Sequence, residues 1–239
     1  MLRFFRQIRK SLMEQNKVRT YTLYAVGEIF LVVVGILIAL QINNWNEANK
    51  AQKLERSTLL ELSIGLEKDR NILVGEVSYY ERDLSAILYL EKLLADKNRI
   101  YTSEMDTLFG KVYGIRFKRL NMAFYEDLKS SGLQVIRNQD IRRNIVNLFE
   151  NDYKTIEGIL ENETSVNRVN RPYYLENFSA LNFRKSATPN EFDRIWNDPY
   201  YKNIVHYRAI TLERNQIKSY KNAIHEIDEV LLQIKEYLN

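Results

Sequence analysis

The apolar residues of the chain occur in two arrangements, and the first is a continuous run near the N-terminus. Residues 21–45 are predominantly apolar, and Glu28 is the one charged residue among them. As a helix, this run of 25 residues is about 37 Å long at roughly 1.5 Å per residue, enough to cross a bilayer with some tilt. The sequence therefore predicts a transmembrane helix over residues 21–45.

Beyond residue 45, apolar positions recur every three or four residues, which is the spacing of one face of a helix. Long helices are predicted from Asn46 to about Asp96, from Asn138 to about Val169, and from Asp198 to about Leu238. Because such narrow stripes cannot be buried by one helix alone, we expect an all-α domain, an antiparallel bundle or an elongated coiled coil. The predicted core faces are Leu59, Leu62, Leu66, Leu73, Val77, Tyr80, Leu84 and Ile87; Ile141, Ile145, Leu148, Ile156 and Ile159; and Ile217, Tyr220, Ile224, Ile227, Leu231, Ile234 and Leu238.

Capping residues, glycine and proline mark the ends of the predicted elements. Asn121, Asn138 and Asp198 are expected to cap helix N-termini, and Gly132 is expected to end the helix that follows Asn121. Arg171-Pro172 is expected to end the second long helix, because proline disfavours helical conformation in the residue before it. Residues 183–191 are predicted to form a loop.

The distribution of charge predicts how the membrane helix is oriented. The chain has 35 Lys and Arg and 31 Asp and Glu, a net charge of +4. Residues 1–24 alone carry +5, so the rest of the chain is close to neutral. A basic flank of this kind stays in the cytoplasm, whereas a nucleic-acid-binding protein would carry its cations on a folded face. The orienting residues are Arg3, Arg6, Arg9, Lys10, Lys17 and Arg19.

We therefore expect residues 1–20 to be cytoplasmic, residues 21–45 to span the inner membrane, and residues 46–239 to form a helical periplasmic domain. Tyr21, Tyr24 and Trp45 are expected to anchor the two ends of the helix at the bilayer interfaces. A cleaved signal peptide is the alternative. The long basic segment and the poor match to a small-x-small cleavage site favour an uncleaved anchor instead.

Four segments resemble a known family. FFRQIRKSL (residues 4–12), YAVGEI (24–29) and GILIALQINNWNE (35–47) resemble the opening of a family of small single-span membrane proteins from Bacteroidota, known as a domain of unknown function. YEDLKSSG (125–132) is similar to the Y-x-x-L-K-S-S-G element of the same family. The resemblance implies an inner-membrane location and a helical extracytoplasmic domain, and it implies no activity.

Glu28 is a candidate functional residue because an ionised carboxylate within a membrane is costly. It lies about 8 Å inside the predicted membrane core and shares a helical stripe with the small residues Gly35 and Ala39. One interpretation is a helix–helix interface, in a homo-oligomer or with another membrane protein. A second is a proton or ion site in an ion-conducting or ion-driven complex. The third is a monomeric anchor whose carboxyl snorkels or stays protonated.

Motifs for catalysis and metal binding are missing from the sequence. With no cysteine, the chain can form neither disulfides nor Cys-ligated metal sites. His206 and His225 are its only histidines, and His225-Glu226 lacks the second histidine of an H-E-x-x-H motif. His206 is expected in the core or at its rim. We expect a non-enzymatic protein without catalytic residues, metal or cofactor, and without a nucleic-acid partner.

The tyrosines and acidic residues are interpreted structurally. Adjacent tyrosines occur at residues 79–80, 173–174 and 200–201, and on a helix one member of each pair can be core and the other surface. The acidic residues of the long helices are interpreted as a solvated face. YEDLKSSG is interpreted as a helix end. The predicted function is that of a sensing, binding or scaffold component, which acts at the lipid bilayer through a partner or an oligomer.

Overall fold

The computed structural model describes Gln7 and residues 18–239. These residues are mostly helical, with two short strands, which confirms the predicted all-α class. Contacts divide the chain into two compact units, Met1–Glu55 and Arg56–Asn239. We describe each unit separately.

Helix α1 comprises Val18–Leu93, and its residues as far as Glu55 belong to the N-terminal unit. Among the described residues it is the one helix long and apolar enough to cross a membrane, and no residue of its most apolar 18-residue window is buried. Core helices of soluble proteins bury such residues, so the exposure is typical of a helix that lies in lipid. Signal sequences share this length and composition.

The part of α1 in the C-terminal unit supplies one wall of that unit's core. Seven of the eight predicted core residues, including Leu59 and Ile87, are buried, and Leu84 is half-buried. The predicted helical stripe of α1 is therefore confirmed. The buried residues of Arg56–Asn239 form one continuous hydrophobic core.

Two short helices follow α1, and the residues predicted to bound the second of them lie at its ends. They are α2 (Met105–Val112) and α3 (Ala123–Ser131), and a 3-10 turn at Leu133–Val135 follows them. The Asn121 side chain accepts a hydrogen bond from the backbone N–H of Ala123 at 3.2 Å. Gly132 has φ 108° and donates its N–H to the carbonyl of Leu128, so it ends α3 as expected.

The second long helix is continuous but contains one π-helical turn. It consists of α4 (Gln139–Asn147), the π turn Leu148–Tyr153 and α5 (Lys154–Asn177). The Asn138 side chain caps α4 by accepting from two backbone N–H groups, as predicted. The predicted stop at Arg171-Pro172 is wrong, because Pro172 lies inside α5. Two residues later Tyr174 is fully buried among other aromatic rings, and this packing favours continuation of the helix despite the proline.

A β-hairpin replaces part of the predicted loop at residues 183–191. Strands β1 (Phe178–Asn182) and β2 (Ser186–Pro189) are antiparallel. In β2 the burial alternates, with Ala187 and Pro189 facing the core. The loop prediction is wrong here because four residues are too few for an alternating pattern to stand out among turn-forming residues.

The third long helical segment also contains a π turn. After the short α6 (Phe192–Asn197) come α7 (Pro199–Thr211), the π turn Leu212–Ile217 and α8 (Lys218–Leu238). The Asp198 side chain caps α7 as predicted, accepting from the N–H of Tyr200 at 2.8 Å. Four of the seven predicted core residues are fully buried, and Ile224, Leu231 and Leu238 are half-buried. Ala223 and Val230 are buried as well, so the buried face is wider than the predicted stripe.

Candidate functional site

The three residues predicted for membrane-helix packing all lie in the apolar part of α1. Gly35 and Ala39 are exposed, Glu28 is half-exposed, and a Cβ added to Gly35 would meet no atom within 4 Å. The surface along this stripe is therefore open to close approach by a neighbouring helix. The role of the stripe in association stays a prediction.

The predicted orientation and interface residues are only partly described. Arg19, Tyr24 and Trp45 are exposed. The remaining residues lie outside the described part of the chain: Arg3, Arg6, Arg9, Lys10, Lys17 and the side chain of Tyr21.

The main polar feature of the C-terminal unit is a row of carboxylates inside its core. Asp69, Glu76 and Asp83 are 3%, 3% and 1% exposed. They are spaced by seven residues, about two helical turns, so they lie on one face of α1. We call these three residues the carboxylate ladder. The interpretation of the acidic residues as a solvated face is wrong for them.

Asp69 is held by neutral donors. It accepts hydrogen bonds from the backbone N–H of Asn121 at 3.2 Å and from the hydroxyl of Tyr153 at 2.9 Å. Burial raises the pKa of Asp69, and these two hydrogen bonds partly oppose the rise. The carboxylate therefore ties α1 to the start of α3 and to the first π turn.

Glu76 and Arg116 form a bidentate ion pair. Nε and Nη2 of Arg116 donate to the two carboxylate oxygens at 2.9 and 2.7 Å. The guanidinium also lies 4.0 Å from the centre of the Tyr79 ring. The hydroxyl of the buried Tyr80 donates a hydrogen bond to the backbone carbonyl of Arg116. The hydrogen bond with Glu76 raises the pKa of Arg116. The segment after α2 is thereby fixed against α1 by side-chain and backbone contacts together.

Asp83 has two cationic partners from different elements. Arg184 in the hairpin turn donates to one oxygen, and Nζ of Lys111 in α2 lies 3.0 Å from the other. Both side chains of the Asp83–Arg184 pair are at least 97% buried. Arg184 has φ 61° and donates from Nη1 to the carbonyl of Gly114 at 3.2 Å. The strained turn thus directs the arginine into the core.

Another ion pair joins the two other long helices. Arg208 of α7 donates from Nη1 to Glu163 of α5, and both side chains are more than 90% buried. The other Glu163 oxygen and two Arg208 nitrogens, Nε and Nη2, have no hydrogen-bond partner among the described residues. Burial raises the pKa of Tyr80 to about 12. The charges of Arg184 and Arg208 lower this pKa, and those of Glu76 and Glu163 raise it.

The buried acids and their cationic partners join separate elements of the C-terminal unit. Within residues 56–239 four acids are buried: Asp69, Glu76, Asp83 and Glu163. All of them form ion pairs except Asp69, which is held by neutral donors. Buried pairs of this kind fix how elements pack, because a carboxylate in the core needs its partner in place. No cluster of three or more possible metal ligands occurs within the described residues.

Both histidines lie on the surface of the domain. His206 is exposed, and its Nδ1 lies 2.6 Å from Glu91, so it belongs to the rim and not to the core. His225 is exposed as well. In each tyrosine pair one ring is buried and the other is not: Tyr80, Tyr174 and Tyr201 are core residues, which confirms the structural interpretation.

The sequence reasoning missed the carboxylate ladder and its arginine partners. The seven-residue spacing of the three acids on a helical stripe was the available signal, since it places them on the face that carries Leu62 and Leu90. Arg184 and Arg208 had no comparable signal, because nothing near them in the sequence distinguishes them from surface arginines.

Comparison with known proteins identifies the family. A family model described as a family of unknown function (DUF6090) matches residues 28–172, which is more than half of the chain. The chain belongs to this family. No curated protein and no solved structure matches it.

Membership confirms the resemblance to a family of unknown function. The range matched by DUF6090 contains Glu28, the carboxylate ladder, Arg116, Glu163 and the YEDLKSSG segment, which forms the end of α3 as interpreted. Arg184 and Arg208 lie beyond residue 172. Both arginines that are buried in the core are therefore contributed by the part of the chain that follows the match.

Proposed function

We propose that the protein is a non-enzymatic membrane-anchored component whose helical domain binds or holds a partner outside the cytoplasm. The observation that carries the proposal is the contrast within the chain. The apolar window of α1 has no buried residue, whereas residues 56–239 have a continuous core. Apolar surface on this scale is unfavourable in water and favourable in lipid, which supports an anchor joined to a soluble domain.

A binding or scaffold role, not catalysis, is supported by the use of the buried charges. The carboxylates of the ladder are occupied by Arg116, Arg184, Lys111 and neutral donors, so none is poised as a free base. Catalytic acids and bases usually stand in a cleft beside a nucleophile or a metal. The interior charges are instead arranged as contacts between separate elements of the domain.

For location we infer the inner membrane of a bacterium, of the Bacteroidota by resemblance, with the N-terminus in the cytoplasm and residues 46–239 in the periplasm. The basic segment before the apolar run supports this orientation, because cytoplasmic flanks carry an excess of Lys and Arg. A periplasmic domain would then sense or bind on one side of the membrane while the anchor keeps it at the bilayer.

We further infer that the anchors associate through the stripe of Glu28, Gly35 and Ala39. Small residues let helices approach closely in lipid, and a carboxyl next to them can bond to a neighbouring helix. Replacing Gly35 and Ala39 together with leucine is expected to lower the oligomeric mass measured by native mass spectrometry of the full chain. The control is Val33→Phe with Leu37→Phe, which adds similar bulk on roughly the opposite side of the helix and should leave the mass unchanged.

An unchanged mass in the double leucine variant would count against association through the stripe.

The competing function is that of a subunit of an ion-conducting or ion-driven complex that uses Glu28. The position of this acid in the apolar helix is the observation that supports it. Glu28→Gln separates the two functions. A scaffold keeps its assembly and its partner contact, whereas a conductor loses its ion or proton dependence.

A further inference from the structure

A groove between α5 and α7 has the size and lining of a ligand site. It has a volume of about 430 Å³, and its walls are Ser165, Val166, Arg168, Val169 and Asn170 on one helix and Tyr200, Asn203, Ile204 and Tyr207 on the other. Ligand sites in proteins typically enclose about 300–1,000 Å³. The groove is remote in sequence from the carboxylate ladder and has no part in the function proposed above.

The groove collects apolar side chains that the domain leaves in contact with solvent. Val169 is 65% exposed, Tyr200 is 50% exposed and Tyr207 is 45% exposed, while Ile204 beneath them is buried. A concentration of large apolar groups around a concave surface marks a place where another apolar molecule binds. Val166, Val169 and Ile204 are aliphatic and β-branched, so the surface suits the aliphatic part of a ligand.

The groove also carries one uncompensated positive charge. No Asp or Glu lines it, and Arg168 is its only charged residue. Arg168 is exposed, and no ion pair or hydrogen bond joins its side chain to another of the described residues. Elsewhere in the domain, Arg70 and Arg116 each hold a carboxylate with two nitrogens of the guanidinium.

We propose that this groove binds a small amphiphile with an aliphatic body and a carboxylate head. The planar guanidinium of Arg168 matches a carboxylate through two parallel hydrogen bonds, and one cation balances one monoanion. Val166, Val169 and Ile204 receive the aliphatic body, and the rings of Tyr200 and Tyr207 close over it. Neither the family description nor the sequence motifs assign a ligand to this surface.

The test uses octanoate as the probe and the full-length protein in lipid nanodiscs, with empty nanodiscs as the blank. Isothermal titration calorimetry is expected to give saturable binding to the wild type. Arg168→Glu is expected to weaken it about tenfold or more, because it removes a charge-assisted hydrogen bond and adds repulsion. Arg99→Glu makes the same change at an exposed residue outside the groove and should bind as the wild type does.

Two further measurements separate the head from the body of the ligand. Octanamide, which has the same chain and no charge, should bind about tenfold more weakly than octanoate. Ser165→Trp fills the groove from an exposed position and should abolish binding of both compounds while the circular dichroism stays unchanged.

The proposal fails if the wild type gives no saturable heat above empty nanodiscs, if Arg168→Glu binds octanoate as tightly as the wild type, or if octanamide matches octanoate. It also fails if Ser165→Trp lowers the oligomeric mass without changing octanoate binding, because a second copy of the chain would then be the occupant of the groove.

Discussion

Individual charged residues constrain how separate elements of the C-terminal unit pack together. Asp83 and Arg184 are 101 residues apart in the sequence, and both side chains are at least 97% buried in the core. Their net stabilisation depends on the presence of both, since removal of one leaves the other charge in a medium that solvates it poorly. The pair therefore constrains the position of the hairpin turn against α1.

Arg184→Met is expected to lower the free energy of unfolding by about 3–5 kcal/mol, because Asp83 keeps only the partly exposed Lys111 as a cation. The double variant Asp83→Leu with Arg184→Met should lose less than the sum of the two single variants. Urea unfolding in detergent micelles, followed by tryptophan fluorescence, measures all three. Strictly additive losses would contradict the coupling.

An exposed ion pair provides the control for this cycle. Arg143 and Asp140 lie one helical turn apart on α4, and their side chains are 67% and 75% exposed. Arg143→Met should therefore change the free energy of unfolding by no more than about 1 kcal/mol. A loss as large as that of Arg184→Met would show that burial is not the cause.

The sequence predicts which acids take part in these ion pairs, but it does not predict their cationic partners. The spacing of Asp69, Glu76 and Asp83 places three acids on the same face as the leucines of α1, and this could be predicted. Their partners could not, because Arg116 and Arg184 reach the core from segments 40 and 101 residues away. No local pattern says which surface a distant arginine will meet.

At the scale of elements, the hairpin packs against α2 through a glycine. A Cβ built on Gly110 would lie 2.3 Å from the backbone nitrogen of Ser186 and 2.5 Å from its Cα. These are backbone atoms, so a rotamer change cannot relieve the overlap, and the strand and the helix would have to separate. Contact this close between α2 and β2 requires a residue without a side chain.

Gly110→Ala is expected to destabilise the protein by about 3 kcal/mol, because overpacking here displaces backbone. Gly158→Ala is the matched control, since a Cβ at this site in α5 meets no atom within 4 Å. It should stabilise the protein by roughly 0.5–1 kcal/mol through the better helix propensity of alanine. Thermal unfolding by circular dichroism compares them, and a neutral Gly110→Ala would contradict the close packing.

Periodicity predicted the long helices well and predicted their interruptions poorly. The caps Asn138 and Asp198 and the C-terminal Gly132 could be read locally, because each acts on backbone groups within a few residues. The extension of α5 past Pro172 and the two π turns could not, since they depend on packing with other elements. The short hairpin could not be predicted for the same reason.

At the scale of the whole molecule, the core of the C-terminal unit is rich in tyrosine. Burial raises the pKa of Tyr80 and of Tyr125 to about 12, and in Tyr125 a hydrogen bond to Glu150 adds to the effect. Burial also raises the pKa values of Tyr153, Tyr174 and Tyr220. The folded state therefore binds these phenolic protons more tightly than the unfolded state, in which tyrosine ionises near pH 10.

The sign of this linkage predicts alkaline unfolding. Because the folded-state pKa values are raised, the stabilising contribution is complete below about pH 10 and is lost as the pH rises toward and beyond 12. Tyrosinate absorbance of the buried rings should consequently appear together with loss of the helical circular dichroism. Complete tyrosinate formation with an unchanged dichroism spectrum would contradict the burial of these rings.

The placement of the chain across a membrane is the claim on which the proposed function depends, and the absence of cysteine makes it directly measurable. Gln7 and Asn222 are both exposed, and each can be replaced by a single cysteine. With a membrane-impermeant maleimide, Asn222→Cys should be labelled in intact spheroplasts. Gln7→Cys should be labelled only after the membrane is permeabilised, and both labelled chains should be full length. Labelling of Gln7→Cys in intact spheroplasts, protection of Asn222→Cys, or a mature chain that starts near Asn43 would contradict the account.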